Sequence, residues 1–345
     1  MAIWTWKEGI AVMLDQFGRN IEYIRISVTD RCNLRCRYCM PEHGVDLVSH
    51  TEILRFTEIV RLASVLTELG ISKIRLTGGE PLVRKNLAAL VRDLKALPGI
   101  KEVSLTTNGV LLGDQIEDLA AAGIDTVNVS LDSLDPEYFH EMTRVGDIRD
   151  VLRSLERCRE FPQVRIKINC VPVAADGDGS EEHWFSVASL AKDGPFDVRF
   201  IEMMPIGFGA QSQGISEEML RRKMDAVYGT PAVITARLGN GPATYVQYPG
   251  FASRIGFISA VSHKFCDKCN RVRLTSTGML KPCLQFAGGA DVKKLLRSGA
   301  DNETLKEAMR EVIYRKPEGH LFLEDPKERL ADGEIETKKM SQIGG

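Results

Sequence analysis

Residues 23–40 read "YIRISVTDRCNLRCRYCM", a β-branched run that leads straight into three cysteines. "YIRISVT" (23–29) reads as a strand, and Cys32, Cys36 and Cys39 follow it in a C-x3-C-x2-C spacing. The same succession of short strand and chemically loaded loop recurs down the chain. Further strands are expected at "KIRLT" (73–77), "EVSLTT" (102–107), "TVNVSL" (126–131), "VRIKINCV" (164–171) and "DVRFIEM" (197–203). Between them lie stretches with apolar residues at i, i+3, i+4 and i+7, the helical period. They include "FTEIVRLASVLTELG", "NLAALVRDLKALPG", "LLGDQIEDLAAAG" and "DIRDVLRSLERCREF", and several stop at Gly or Pro. Such alternation predicts an α/β fold, a parallel sheet covered by helices. Six βα units are too few to close an eight-fold barrel. An open, partial (βα)6 barrel is expected.

In parallel α/β architectures the functional residues gather beyond the carboxyl ends of the strands. Here that rim carries the cysteine triplet, "GGEP" (78–81), "NG" (108–109) and "SLDS" (130–133). Lys167 and Asn169 stand near the end of the fifth strand, and the sixth runs into "IEMMPIG" (201–207). Beyond this point the rhythm breaks. "GFGAQSQG" (207–214) reads as a small polar linker, 215–228 as a short helix, and 231–262 as loops and short strands. A helical piece follows at about 290–313, then a charged tail ending "QIGG" whose composition alone reads as a frayed end. The expected division is a barrel over 13–206 and a C-terminal region over 207–345. Residues 1–12 read as a disordered extension, with Met13 an alternative start.

Bulk properties narrow the function. The 47 acidic and 45 basic side chains leave a net charge of −2, so no global basicity recruits nucleic acid. No apolar run approaches the length of a membrane span. The opening "MAIWTWKEGIAVML" has one lysine, a broken apolar stretch and no small-residue cleavage site, which makes a poor signal peptide. Six of the eight cysteines form two tight triplets, a usage that fits metal binding in a cytoplasmic chain better than scattered disulfides. Cys158 and Cys170 stand alone and read as small hydrophobes.

Four thiolates close a tetrahedral structural site, and three leave a position open. His43 and His50 lie outside the usual zinc spacings. Three thiolates on one loop suit three irons of a [4Fe–4S] cubane, the fourth iron taking another ligand. The second triplet, Cys266, Cys269 and Cys283, has the spacing C-x2-C-x13-C. It admits two readings, a zinc site completed by His263 or a second cluster with an open iron. Arg271 and Arg273 alternate on one face of an expected strand between these cysteines. Such a pair suits a polyphosphate, though exposed basic strands are also common.

"CNLRCRYC" resembles the signature of the radical S-adenosylmethionine (SAM) superfamily, with Tyr38 the aromatic before the last cysteine, and "GGEP" resembles that superfamily's SAM-binding motif. The C-terminal "CDKCNRVRL" with its later cysteine, the terminal Gly-Gly and the order of motifs between are similar to the GTP 3′,8-cyclase family, over about residues 13–345. The resemblance implies a lyase that converts GTP to (8S)-3′,8-cyclo-7,8-dihydroguanosine 5′-triphosphate, the first step of molybdenum cofactor biosynthesis. A 5′-deoxyadenosyl radical would take the ribose 3′ hydrogen. It implies two [4Fe–4S] clusters, one on each triplet, the second binding guanine at its open iron. SAM contacts are implied for Tyr38, Gly78, Gly79, Glu80, Ser130 and Met204. GTP contacts are implied for Arg25, Arg75, Thr106, Lys167, Arg271 and Arg273, with Arg199 behind them because buried arginines often pair with acidic neighbours. Arg271, Arg273, Gly344 and Gly345 carry implied catalytic roles, the tail reaching into the site. The implied partners are a flavodoxin or ferredoxin reductant, cyclic pyranopterin monophosphate synthase as the next enzyme, and a second copy in a homodimer. The implied compartment is the cytoplasm, with no nucleic acid or membrane as partner.

Overall fold

The computed structural model describes residues 4–7, 10–174, 180–236, 238–239, 241–323 and 335–344. The chain opens on a two-stranded antiparallel hairpin, β1 (Trp4–Lys7) and β2 (Ile10–Met13), where the sequence reads as a disordered extension. Two short apolar runs separated by two residues have the length a hairpin needs. The six expected strands follow as β3 (Tyr23–Ser27), β4 (Lys73–Thr77), β5 (Glu102–Thr107), β6 (Thr126–Ser130), β7 (Arg165–Cys170) and β8 (Asp197–Ile201). They lie side by side in chain order and all are parallel. Helices α1 (Phe56–Glu68), α2 (Leu87–Lys95), α3 (Leu112–Ala121), α4 (Pro136–Thr143), α5 (Ile148–Cys158) and α6 (Ser180–Lys192) fill the connections. The start of α4 is written into the sequence at Asp135-Pro136. The Asp135 carboxylate accepts from Tyr138 N–H, and Pro136 supplies a fixed φ at the first helical position.

A parallel sheet buried on both faces reads as continuous apolar runs. These strands instead alternate. Ile24, Ile26, Ile74, Leu76, Val127, Val129, Ile166, Ile168 and Val198 pack into the buried core beneath the helices. Their neighbours on the other face are Arg25, Arg75, Thr106, Asn128, Lys167 and Arg199. The period of two therefore encodes a sheet with one face on the core and the other on a polar interior.

The C-terminal region adds strands β9 (Ala232–Ile234), β10 (Thr244–Gln247), β11 (Ile255–Ile258), β12 (Arg271–Leu274), β13 (Met279–Lys281) and β14 (Ala290–Asp291). It does not form a layer of its own. Strand β11 pairs parallel to β8, and β12 pairs parallel to β3, on opposite edges of the six-stranded unit. The result is one open twelve-stranded sheet running from β14 to β9. Helices α7 (Glu217–Tyr228), α8 (Val292–Arg297), α9 (Asn302–Tyr314) and α10 (Met340–Ile343) complete the chain. The single helical piece expected near 290–313 is two helices, broken where Gly299 takes φ +88 and Asp301 caps α9. Among the described residues no helix is long and apolar enough to cross a membrane.

Candidate active site

A cavity of about 350 Å³ opens at the carboxyl ends of the strands, and both cysteine triplets line it. The sheet wraps this space, since side chains from β3 through β8 and from the added β11 and β12 all reach it. The loop carrying the first triplet is held from behind. Arg35 and Arg37 N–H groups donate to the carbonyls of Thr143 and Met142, each at 3.0 Å. The Arg144 guanidinium returns the grip on the carbonyls of Arg35 (2.7 Å) and Met40 (3.0 Å). Tyr38 donates its hydroxyl to Asp132 Oδ2 at 2.6 Å, which fixes the ring at the cavity wall.

Gly78 and Gly79 lie against the backbone that precedes the triplet. A Cβ on Gly79 would stand 2.4 Å from the Arg31 carbonyl oxygen, and one on Gly78 2.8 Å from that of Thr29. Two ladder-like bonds join the loops there, Gly79 N–H to Thr29 O at 2.8 Å and Glu80 N–H to Arg31 O at 2.7 Å. Both Glu80 oxygens accept: Oε1 from the Thr107 hydroxyl and Leu82 N–H, Oε2 from Asn108 N–H. Burial nevertheless pushes its carboxyl up to about 7. Asn108 reaches on with its amide, donating to Asn33 Oδ1 at 2.8 Å beside Cys32.

Between the triplets the wall is basic. Arg273, Arg25 and Arg75 stand in register on β12, β3 and β4. Burial holds the Arg25 guanidinium well below its usual range, and the nearby charges of Arg273, Arg75 and Arg271 add to the effect. Arg273 falls to about 10 through burial and Arg271. Arg199 also lines the cavity, and its guanidinium is hydrogen-bonded to the amide oxygen of Asn128 and to Tyr245 rather than to the acidic neighbour expected of a buried arginine. Gly256 makes this possible, because a Cβ there would meet Arg199 Cγ at 2.9 Å. Tyr23 Oη, Thr77 Oγ1, Thr106 Oγ1 and Asn169 Oδ1 line the same space, buried and without a hydrogen-bond partner among the described residues. Orphaned polar atoms of this kind call for a ligand.

Every SAM candidate lines the main cavity: Tyr38, Gly78, Gly79, Glu80, Ser130 and Met204. So do the GTP candidates Arg25, Arg75, Thr106, Arg199, Arg271 and Arg273. Lys167 faces an adjoining cavity of about 40 Å³, which shares Arg75 and Arg199 with the main one. The tail folds back over the rim. Gly344, with φ +79, sits so close to Thr77 and Ser27 that a Cβ would approach them to 2.8 and 3.0 Å. Arg273 Nη1 donates to its carbonyl at 2.5 Å. Gly345 lies outside the described residues.

Comparison with known proteins agrees with this geometry. The Radical SAM superfamily model matches residues 26–178, and the Molybdenum Cofactor Synthesis C model matches 196–322. The chain is 40% identical over 337 residues to the GTP 3′,8-cyclase of Clostridium perfringens, covering 96% of this chain and 100% of that one. It is 43% identical, over the same shares, to the GTP 3′,8-cyclase of Desulforamulus reducens. The chain belongs to the GTP 3′,8-cyclase family. Among solved structures, Streptococcus suis SuiB bound to precursor peptide SuiA matches with a TM-score of 0.60 at 13% identity, over 89% of this chain and 66% of that one. That likeness is one of fold.

The residues fit the cofactors of a radical SAM cyclase. Among the described residues no three Cys, His, Asp or Glu side chains gather closely enough to hold a single metal ion. Each thiolate of a cubane binds a different iron, so cluster ligands stand further apart than the ligands of one ion. His263 is exposed against the Ser262 hydroxyl and is absent from the cavity, so it does not complete a zinc site with the second triplet. For Cys269 burial pushes the thiol up, but Arg271 and Lys316 outweigh it and bring it to about 6, a thiolate ready for metal. A cationic ligand group would likewise favour the ionised form of Glu80. Sequence reasoning placed Asn108 and Asp132 on the rim without giving either a role, and it missed Tyr23 and Lys316. Tyr23 was within reach, two residues before Arg25 and so on the same strand face. Lys316 has no local signal; it reaches the wall only because the segment after α9 folds back.

Proposed function

We propose that this chain is the lyase that converts GTP to (8S)-3′,8-cyclo-7,8-dihydroguanosine 5′-triphosphate at the start of molybdenum cofactor biosynthesis. The observation that carries the reading is two cysteine triplets opening onto one cavity whose wall holds five guanidiniums, those of Arg25, Arg75, Arg199, Arg271 and Arg273. When cluster and SAM are bound at the first triplet, the chemistry supplied there is a 5′-deoxyadenosyl radical that takes the ribose 3′ hydrogen of GTP, so that C3′ can join C8 of guanine. The chain's residues prepare that step. The Gly78–Glu80 loop, Tyr38, Ser130 and Met204 would hold SAM. Cys266, Cys269 and Cys283 would hold the second cluster, which would bind guanine. Arg25, Arg75, Arg271 and Arg273 repel one another, and a triphosphate would relieve that repulsion. Arg75 and Arg199 pass the phosphates toward Lys167, because they border both cavities. Gly344, held by Arg273, closes the rim over the reacting ribose.

Residues 13–206 carry the radical chemistry in this reading, and 207–345 the substrate clamp. The two family matches, 26–178 and 196–322, also divide the chain in two, but they part before β8, N-terminal to this boundary. A flavodoxin or ferredoxin reductant, a homodimer, a cytoplasmic setting and hand-over to cyclic pyranopterin monophosphate synthase complete the reading and rest on family membership alone. The test is anaerobic turnover with GTP deuterated at the ribose 3′ position, the 5′-deoxyadenosine being weighed by mass spectrometry. Deuterium in that product is expected. Deoxyadenosine that stays unlabelled, at a rate indifferent to GTP, would remove GTP as substrate.

A further inference from the structure

The segment between the opening hairpin and the first barrel strand has no part in the chemistry described so far. "DQFGR" (15–19) forms a tight turn, with Gly18 at φ +76 and Asp15 accepting from Phe17 and Arg19 N–H groups. Its purpose shows at Arg19, which is 8% exposed. Asp15 Oδ2 accepts from Arg19 Nε at 2.6 Å and so orients the guanidinium. Nη1 donates to the carbonyls of Cys266 and Glu318, each at 2.7 Å. Nη2 donates to the carbonyls of Pro317 at 2.6 Å and Lys316 at 3.5 Å. Gln16 adds its own bonds, N–H to Tyr314 O at 3.1 Å and Nε2 to Lys316 O at 3.2 Å. Lys316 then donates Nζ to Pro282 O at 2.6 Å, next to Cys283.

We propose that Arg19 is the positioning residue of the second cysteine triplet: one buried guanidinium from the start of the chain fixes the loop of Cys266 to the 316–318 segment, which in turn holds the loop of Cys283. The five N–H groups of a planar guanidinium can satisfy one carboxylate and several carbonyls at once. A lysine, a point charge with three donors, cannot span them. The carbonyls of Lys316, Pro317 and Glu318 belong to irregular backbone and that of Cys266 to a single 3-10 turn, and among the described residues no strand pairing ties these segments together. The proposal rests on the second triplet being a cluster site, and its test separates the two.

Full-length, cluster-free chain is treated with iodoacetamide, and alkylation is timed at each cysteine by mass spectrometry. Thiol reactivity follows exposure. Arg19→Gln should speed alkylation of Cys266 and Cys283 by about fivefold or more while Cys32, Cys36 and Cys39 keep their rates. Asp15→Asn, which loosens the guanidinium without removing it, should show the same selectivity more weakly. After anaerobic reconstitution Arg19→Gln should hold iron for one cluster and still cleave SAM, where the unaltered chain holds iron for two. Unchanged rates at all six cysteines in both variants, or equal acceleration at both triplets, would overturn the proposal. An unaltered chain that takes up only one cluster would remove the second-cluster reading instead, and the alkylation pattern would still decide the role of Arg19.

Discussion

Lys167 is buried within reach of three guanidiniums. Burial and Arg199 are the main causes that lower its ammonium to about 8, with Arg165 and Arg75 adding to them against Asp197. An unfolded lysine titrates near 10.4, so between about 8 and 10.4 the unfolded chain binds more protons and, without nucleotide, the fold gains stability as pH rises. Binding of a polyphosphate has the opposite sign. It favours the charged ammonium, so GTP affinity should fall as pH rises through 8, with proton uptake visible by calorimetry in buffers of different ionisation enthalpy. Lys167→Met should remove that dependence and cost about 1.5–3 kcal/mol of binding, the range for a hydrogen bond to a charged group. A pH-independent affinity in the unaltered chain would place the phosphates elsewhere. At the same scale, Gly79 shows the limit of reading residues singly. A glycine beside a SAM motif suggests room for the ligand, but the nearest obstacle to a side chain is the protein's own Arg31 carbonyl. Gly79→Ala should therefore destabilise the fold by about 1–3 kcal/mol, the cost of overpacking. Thermal unfolding by circular dichroism measures it, and an unshifted midpoint would refute the crowding.

At the scale of elements, the strands were legible because each turns an apolar face to the helices and a polar face to the cavity, and a period of two survives in sequence. Helix α6 was harder: its segment mixes His183, Trp184 and Phe185 with serines and shows little periodicity. The tail was least legible, because its order comes from distant partners. Glu336 is paired in the interior with Lys281, the register neighbour of Arg273 on β13. Ile343 is buried against Ile206 and Leu284. Two cations on adjacent strands thus grip the tail at Glu336 and at Gly344. Removing one partner of a buried pair leaves the other charge uncompensated, at about 3–5 kcal/mol; a terminal strap can avoid that cost by detaching. Lys281→Met should accordingly expose the C-terminus to carboxypeptidase and cut formation of the cyclised nucleotide about tenfold or more. Release of 5′-deoxyadenosine from SAM should continue. Equal loss of both products would mean that Lys281 supports the whole site rather than the tail.

For the whole molecule, the break in sequence rhythm after residue 205 suggests two folding units, yet the sheet has no seam there. Strand β11 completes the β8 edge and β12 completes the β3 edge, so the C-terminal region grips the barrel from both sides. The distance in sequence between β3 and β12 explains why no local pattern announced it. Residues 13–206 alone would expose both edges as unpaired backbone, a template for aggregation. Residues 207–345 alone would split into two small sheets lacking the strands between them. The full chain should unfold in one cooperative transition, with tryptophan fluorescence and far-ultraviolet circular dichroism tracing the same curve. Neither fragment should give a soluble, folded product on its own. Coexpressed, the two should recover a soluble complex, because the edge pairings they need are intermolecular copies of those in the intact sheet. Separate transitions, or a stable fragment 13–206, would show that the continuity of the sheet is not what holds the active site together.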